Sequence, residues 1–509
     1  MQHPPKGIWK IITASSVGTL IEWYDFYIFG SLSTIIAAKF FPSENPTTAL
    51  LAVLATFAAG FIVRPFGALV FGRLGDIIGR KYTFLLTLVL MGLSTFLIGL
   101  VPSYATIGTW APVLVLVLRL VQGLALGGEY GGAATYVAEH SPPSKRGFYT
   151  SWIQTTATLG LFLSLGVILT IRRIVGIDEF TNGNGWRYPF LLSILLVVVS
   201  IIIRLKMQES PLFAKLKSEG RTSVNPLKES FGHKTNFKMV LLALFGATMG
   251  QGVIWYTSQF YAQNFLLARC NVDYEQGNTI ILIALALATP FFIFFGWLSD
   301  KIGRKWIMLT GMLLGVLFYR PVFATFLKDT DSKAWQQSNN RFISEEVKVS
   351  DYKGDSVLLI TSRYETAEGN KFTRILRDTL IKRRNDPEHI IRSNTNAEIV
   401  NKELGSAIYW KFILLVWIMV IFVTMVYGPI AACLVEMFPT RIRYTSMSLP
   451  YHIGNGVFGG LVPFIGVLLS TMPGSNQLTG LWYPIGVAAL SFIIGTLYLS
   501  NTIDEDVTD

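Results

Sequence analysis

The chain has 509 residues, 51% of them hydrophobic and only 15% charged, with a formal net charge of +11. Soluble domains carry roughly 25% charged residues, so this composition excludes an ordinary soluble globular protein. A nucleic-acid partner is not expected either, because the basic residues fall in loops between apolar runs rather than on one folded surface.

In chain order, residues 1–10 hold a proline pair and two lysines ahead of the first apolar run. That run outlasts a signal peptide and carries acids, which predicts a retained first helix. Long apolar runs follow, among them 84–101, 191–203, 280–297 and 412–427. A bilayer core of about 30 Å needs about 20 helical residues. Backbone groups there have no water to bond, so such runs must be helical. The runs and breaks predict an all-α polytopic membrane protein with twelve transmembrane helices. In the first half these lie near 11–37, 50–71, 82–101, 112–139, 148–171 and 186–205. In the second half they lie near 238–267, 278–298, 306–326, 411–435, 445–470 and 480–500.

The expected organisation is an N-terminal six-helix half over 1–205 and a polar, basic linker over 206–237. A C-terminal half follows over 238–326 and 411–500, then an acidic tail over 501–509. A polar insert over 327–410 separates the ninth and tenth spans; 356–361 reads as a strand and 370–384 as a helix. Loops this long are functional, disordered or small folded units. Lys and Arg collect in alternate short loops, which predicts both termini in the cytoplasm of a plasma (bacterial inner) membrane and the insert outside. Cys270 and Cys433 lack metal spacing and read as free buried thiols rather than a disulfide.

One loop is written twice. Gly72-Arg73-Leu74-Gly75-Asp76-Ile77-Ile78-Gly79-Arg80-Lys81 joins the second and third spans. Gly296-Trp297-Leu298-Ser299-Asp300-Lys301-Ile302-Gly303-Arg304-Lys305 joins the eighth and ninth. An internal repeat at matching places in two halves is the mark of a duplicated transporter fold. Glycines permit a tight turn between helices. Asp76 and Asp300 put carboxylates within reach of helix N-termini and arginines. We therefore expect Asp76, Arg80, Asp300 and Arg304 to form a gate whose contacts hold in one state and break in another.

This duplicated loop resembles that of the major facilitator superfamily. Further stretches resemble its metabolite:proton symporter family, which includes proline/betaine, α-ketoglutarate, citrate and shikimate permeases. They are Glu22-Trp23-Tyr24-Asp25-Phe26, Phe61-Ile62-Val63-Arg64-Pro65-Phe66-Gly67, Arg119-Leu120-Val121-Gln122-Gly123 and Gly127-Gly128-Glu129-Tyr130-Gly131-Gly132-Ala133. Ala138-Glu139-His140, Lys145-Arg146-Gly147-Phe148 and Trp186-Arg187-Tyr188-Pro189-Phe190 complete the set. The resemblance covers nearly all the chain except the insert. It implies proton-coupled symport of a small polar metabolite. The osmosensing proline/betaine permease carries a long cytoplasmic coiled-coil tail, whereas this sequence stops soon after Asp504-Glu505-Asp506, so activation by such a tail is not expected.

Ionisable residues within spans are costly and read as functional. Glu22 and Asp25 share a helical face; they either load and release a proton or pair with an arginine of a neighbouring helix. Arg119, Gln122 and Glu129 share a broad face of the fourth span. Arg119 would bind a substrate carboxylate or pair with an acid such as Asp25. Glu129, among glycines that allow close packing, is a proton carrier or a buried hydrogen-bonded acid. Glu139 and His140 read as interfacial, and Arg64 as a partner of another helix. Gln251, Trp255, Tyr256, Gln259 and Tyr261 form a polar-aromatic stripe in the seventh span, and His452 with Asn455 faces it from the eleventh. Together they suit a cationic or zwitterionic solute. A proline- or betaine-like zwitterion is the expected substrate, with a dicarboxylate next. The competing reading is a transporter-like receptor whose insert binds an unknown partner. No metal spacing, phosphate loop or nucleophile motif is present, so neither a cofactor nor an enzymatic activity is expected.

Overall fold

The computed structural model describes residues 8–42, 46–78, 80–128, 130–205, 226–338, 340–352, 355–383, 386–393, 398–439 and 442–501. Among them, nine helices are long and apolar enough to cross a membrane, and two apolar helical stretches, Leu86–Leu100 and Gly185–Val199, are shorter. We label the long helical segments α1 (Ile8–Ser31), α2 (Pro46–Ile62 and Arg64–Ile78), α3 (Arg80–Leu100), α4 (Trp110–Gly127 and Tyr130–His140), α5 (Arg146–Val175) and α6 (Tyr188–Leu205). The remainder are α7 (Lys234–Ala268), α8 (Tyr274–Ile302), α9 (Arg304–Asp329), α10 (Ser406–Met437), α11 (Arg443–Thr471) and α12 (Trp482–Tyr498). The interruption of α2 at Val63 lies two residues before Pro65, whose ring and missing N–H disturb the ladder there.

The chain divides into two compact units, one of residues 1–261, 284–320 and 417–509, the other of 262–283 and 321–416. The first is helical. Within it α1 packs on α5, α3 on α6, α2 on α4 and α7 on both α11 and α12, while α11 also packs on α2 and α4. Apolar lipid gives such helices little reason to associate, so close backbone packing matters. The α2–α4 contact uses glycine for this purpose: a Cβ at Gly123 would fall on the carbonyl of Gly60, and one at Gly127 on that of Arg64. Helix α7 widens into π turns at Leu244–Thr248 and Thr257–Tyr261, and α11 does so at His452–Gly459. Cys433 in this unit and Cys270 in the other are free and buried.

The second unit carries the insert, and here one expectation fails. Within the stretch 370–384, expected to be a helix, residues Lys371–Arg383 form strand β3. The sheet comprises β1 (Asn340–Tyr352), β2 (Asp355–Thr366), β3 (Lys371–Arg383), β4 (Asp386–Ser393) and β5 (Glu398–Glu403). Its order is β1-β2-β3-β4 with β5 also on β3, all antiparallel. The 356–361 strand exists, inside β2. Residues 371–383 have apolar pairs at a spacing that also fits a helix. The antiparallel neighbours Val357–Glu365 decide for strand, and Phe372 stacks on Tyr364 at 5.2 Å. Helix α9 runs to Asp329 and α10 starts at Ser406, so each helix continues a few residues past the expected bounds of its span.

Strand β5 ties the sheet to the turn before α8. Lys402 and the turn exchange backbone bonds, Lys402 N–H to Asn271 O at 2.8 Å and Asp273 N–H to Lys402 O at 2.8 Å. The buried Lys402 ammonium donates to the carbonyls of Thr330 (2.6 Å) and Cys270 (3.1 Å) and lies 5.7 Å from the Trp335 ring.

Candidate functional site

Two clusters in the helical unit hold the ionisable residues. The first lies among α1, α2, α4, α7, α10 and α11. Arg64 is buried, with its guanidinium 4.0 Å from the Phe61 ring and 5.6 Å from Trp23. Arg119 is buried over Phe29 (4.3 Å) and Phe57 (5.1 Å) and donates to Gln122. Gln122 in turn donates to Thr95 Oγ1 at 2.7 Å and to the backbone carbonyl of Asp25 at 3.4 Å. Both arginines thus rest on aromatic faces, which stabilise a cation without neutralising it. The Asp25 side chain is fully buried, and neither carboxylate oxygen has a hydrogen-bond partner among the described residues.

The wall opposite is aromatic and amide-rich. Trp255 stacks on Tyr27 at 5.5 Å, and Tyr256 meets Phe61 edge-on at 5.1 Å, so rings of α7 meet rings of α1 and α2. The indole N–H of Trp255 and the amide of Gln259 are buried without a hydrogen-bond partner among the described residues. Such groups are costly unless something polar meets them in another state or with a ligand. Gln251 donates to Asn455 at 3.4 Å, Asn455 to the Tyr451 hydroxyl at 3.2 Å, and Tyr451 shares a 2.7 Å bond with Tyr427. Tyr451 also lies flat on Tyr130, centroids 3.5 Å apart, and His452 is buried beside it. Glu129 and the Glu22 side chain lie outside the described residues.

The second cluster surrounds the repeated loop. Helix α8 ends at Gly303, which adopts the left-handed φ of 93° that glycine tolerates best, and Arg304 starts α9. One turn earlier, the carboxylate of Asp300 caps the start of α5. It accepts from the Gly147 and Phe148 N–H groups, each at 2.8 Å. These donors have no partner inside their own helix, and the helix dipole favours an anion there. Arg304 donates to Asp300 at 2.6 Å and to Glu436 at 3.0 and 3.3 Å, and Arg146 reaches Glu436 at 3.2 Å. Arg443 pairs with Glu139 at 3.8 Å. Glu139, read from the sequence as interfacial, thus takes part in an ion pair. The side chains of Asp76 and Arg80 lie outside the described residues.

Residues 10–238 match the family described as "Sugar (and other) transporter". The proline/betaine transporter of Salmonella typhimurium is 36% identical over 327 residues, 62% of this chain and 64% of that protein's length. The chain thus spans less than two thirds of the proline/betaine transporters it matches. The inner membrane metabolite transport protein YhjE of Escherichia coli is 30% identical over 489 residues, 95% of this chain and 92% of its own. The chain belongs to the major facilitator superfamily. Among solved structures, a partially occluded inward open form of the E. coli xylose transporter XylE shares the fold with a TM-score of 0.64. It is 17% identical and covers 97% of this chain and 98% of its own.

Membership in the superfamily accounts for the many apolar helices of spanning length, and the relatives named above are transporters. It also explains a pattern that the sequence reading passed over. Glu139, Pro142 and Arg146 recur at the same spacing as Glu436, Pro439 and Arg443, so the repeat extends beyond the 72–81 and 296–305 loops. The two copies pair crosswise: the first-half arginine meets the second-half acid, and the second-half arginine meets the first-half acid.

Proposed function

We propose that this transporter carries a small polar organic solute together with a proton by alternating access, in the inner membrane, with both termini in the cytoplasm. The observation that supports it most is the pair of buried guanidinium groups, Arg64 and Arg119, held on aromatic rings, with Gln122 joining Arg119 to the backbone of the buried Asp25. A guanidinium on an aromatic face binds a carboxylate well once one arrives. Tyr27, Trp255 and Tyr256 offer π faces for a positive group at the solute's other end. A proline- or betaine-like zwitterion suits both features, and the relatives named for proline and betaine agree with it. Having two arginines favours a dicarboxylate as the second reading.

In this reading Asp25 carries the coupled proton, with Glu22 and Glu129 as further members of its path. Gln122 orients Arg119, while Gln251, Tyr256, His452 and Asn455 line the route. Asp300 and Arg304, joined by Glu436 and Arg146, hold the cytoplasmic side closed. By the repeat, Asp76 and Arg80 perform the same task with Arg443 and Glu139. The organisation proposed is six helices over 1–205, a linker over 206–237, six helices over 238–326 and 411–500, and the insert over 327–410. The receptor reading is not favoured, since the named relatives are transporters.

Uptake by vesicles reconstituted with the full chain tests this. Labelled proline, glycine betaine and α-ketoglutarate are offered with and without an inward proton gradient. Gradient-driven accumulation of proline or betaine supports the zwitterion, and that of α-ketoglutarate the second reading. Accumulation indifferent to the gradient would sink proton coupling.

A further inference from the structure

Strand β1 is hydrogen-bonded along one side to β2 and, among the described residues, to no other strand. The register slips once, between Phe342 and Ser344, and from Ser344 onward it is regular. Every residue from Arg341 to Lys348 is exposed, including Phe342, Ile343 and Val347. A long edge strand with exposed apolar side chains is a template for another strand. The bulge and the charges at Glu345, Glu346 and Lys348 blunt it only partly, and those charges also say which strand it fits.

We propose that β1 pairs antiparallel with β1 of a second copy of this chain about a twofold axis through Val347. An antiparallel strand turns the N–H and C=O of every second residue toward its free edge, so only residues of the same parity can face each other across the axis. Among these registers, a twofold at Glu346 sets that acid against itself, and one at Lys348 sets that lysine against itself. The twofold at Val347 places Glu346 opposite the partner's Lys348 and Lys348 opposite the partner's Glu346, with Val347 against its own copy. Within one chain Glu346 and Lys348 already meet at 2.7 Å on one face of the strand. Dimerisation thus adds two opposite-charge pairs on that face and an apolar pair on the other, the units that stabilise a sheet. Closed twofold pairing also ends the edge rather than propagating it.

The test uses the full chain in lipid nanodiscs and detergent. Val347→Cys should cross-link to a dimer under mild oxidation, while Lys333→Cys, exposed on the short helix before β1, should not. Glu346→Lys and Lys348→Glu should each weaken dimerisation on the order of ten-fold, because each turns two attractions into repulsions. The double variant Glu346→Lys/Lys348→Glu should restore it, since both pairs are then opposite again. Both side chains are exposed, so neither reversal disturbs the fold. A chain monomeric throughout, equal cross-linking at position 333, or a double variant as weak as the singles would each overturn the proposal.

Discussion

Asp300→Asn probes the proposed cytoplasmic latch with almost no change of shape. Each carboxylate oxygen of Asp300 accepts one backbone N–H of α5, from Gly147 and Phe148, at 2.8 Å. Asparagine keeps one oxygen and turns an NH₂ toward the other donor. A hydrogen bond to a charged group contributes about 1.5–3 kcal/mol, and an anion at a partly buried helix N-terminus up to about 2 kcal/mol. These overlap, so we take ~2–3 kcal/mol for the contacts that cross from one half to the other. Opening breaks them, and the open-to-closed ratio should rise about 30- to 150-fold. The Arg304–Glu436 contacts lie within the second half and do not enter this figure. Spin labels at Lys145 and Lys301, both exposed, report the separation of the two halves at this end by pulsed electron resonance. The variant should gain a long-distance population that the parent lacks. An unchanged distance distribution would refute the assignment of Asp300 as a latch residue.

Gly123→Ala should lower thermal stability by ~1–3 kcal/mol, the usual cost of overpacking, because its methyl falls on the Gly60 carbonyl; unfolding followed in detergent measures this. Asp25→Asn should abolish gradient-driven accumulation while leaving solute exchange across vesicles, and Arg119→Lys should cut uptake at least ~10-fold because lysine lacks the planar fork. Burial holds the Lys402 ammonium below the usual lysine range. Its unfolded value is then the higher one, so the unfolded chain binds more protons between the two, and the stability of the insert should rise with pH there. Lys402→Met should flatten that slope in thermal scans run at alkaline pH below the usual lysine value of about 10.4. Burial also pushes the Cys270 thiol up to about 11, so maleimide should label it slowly in the folded protein and rapidly after denaturation.

Much of this protein was legible in its sequence because a bilayer permits so few solutions. Apolar runs of bilayer length had to be helices, and the loop written around Asp76 and again around Asp300 pointed to a duplicated chain. The duplication also contained the Glu139–Arg146 and Glu436–Arg443 spacing, but nothing linear says that the copies exchange partners. Arg146 and Glu436 lie 290 positions apart, and only the packing of α5 beside α8 and α10 brings them together. The same holds for Arg64 and Arg119: their spans predicted buried cations, whereas the tertiary structure set them on Phe61, Trp23, Phe29 and Phe57. In the insert, residues 371–383 carry a pattern that suits helix or strand. β2 alongside decided it, because a strand with a neighbour satisfies its backbone bonds through the ladder and packs Phe372 on Tyr364.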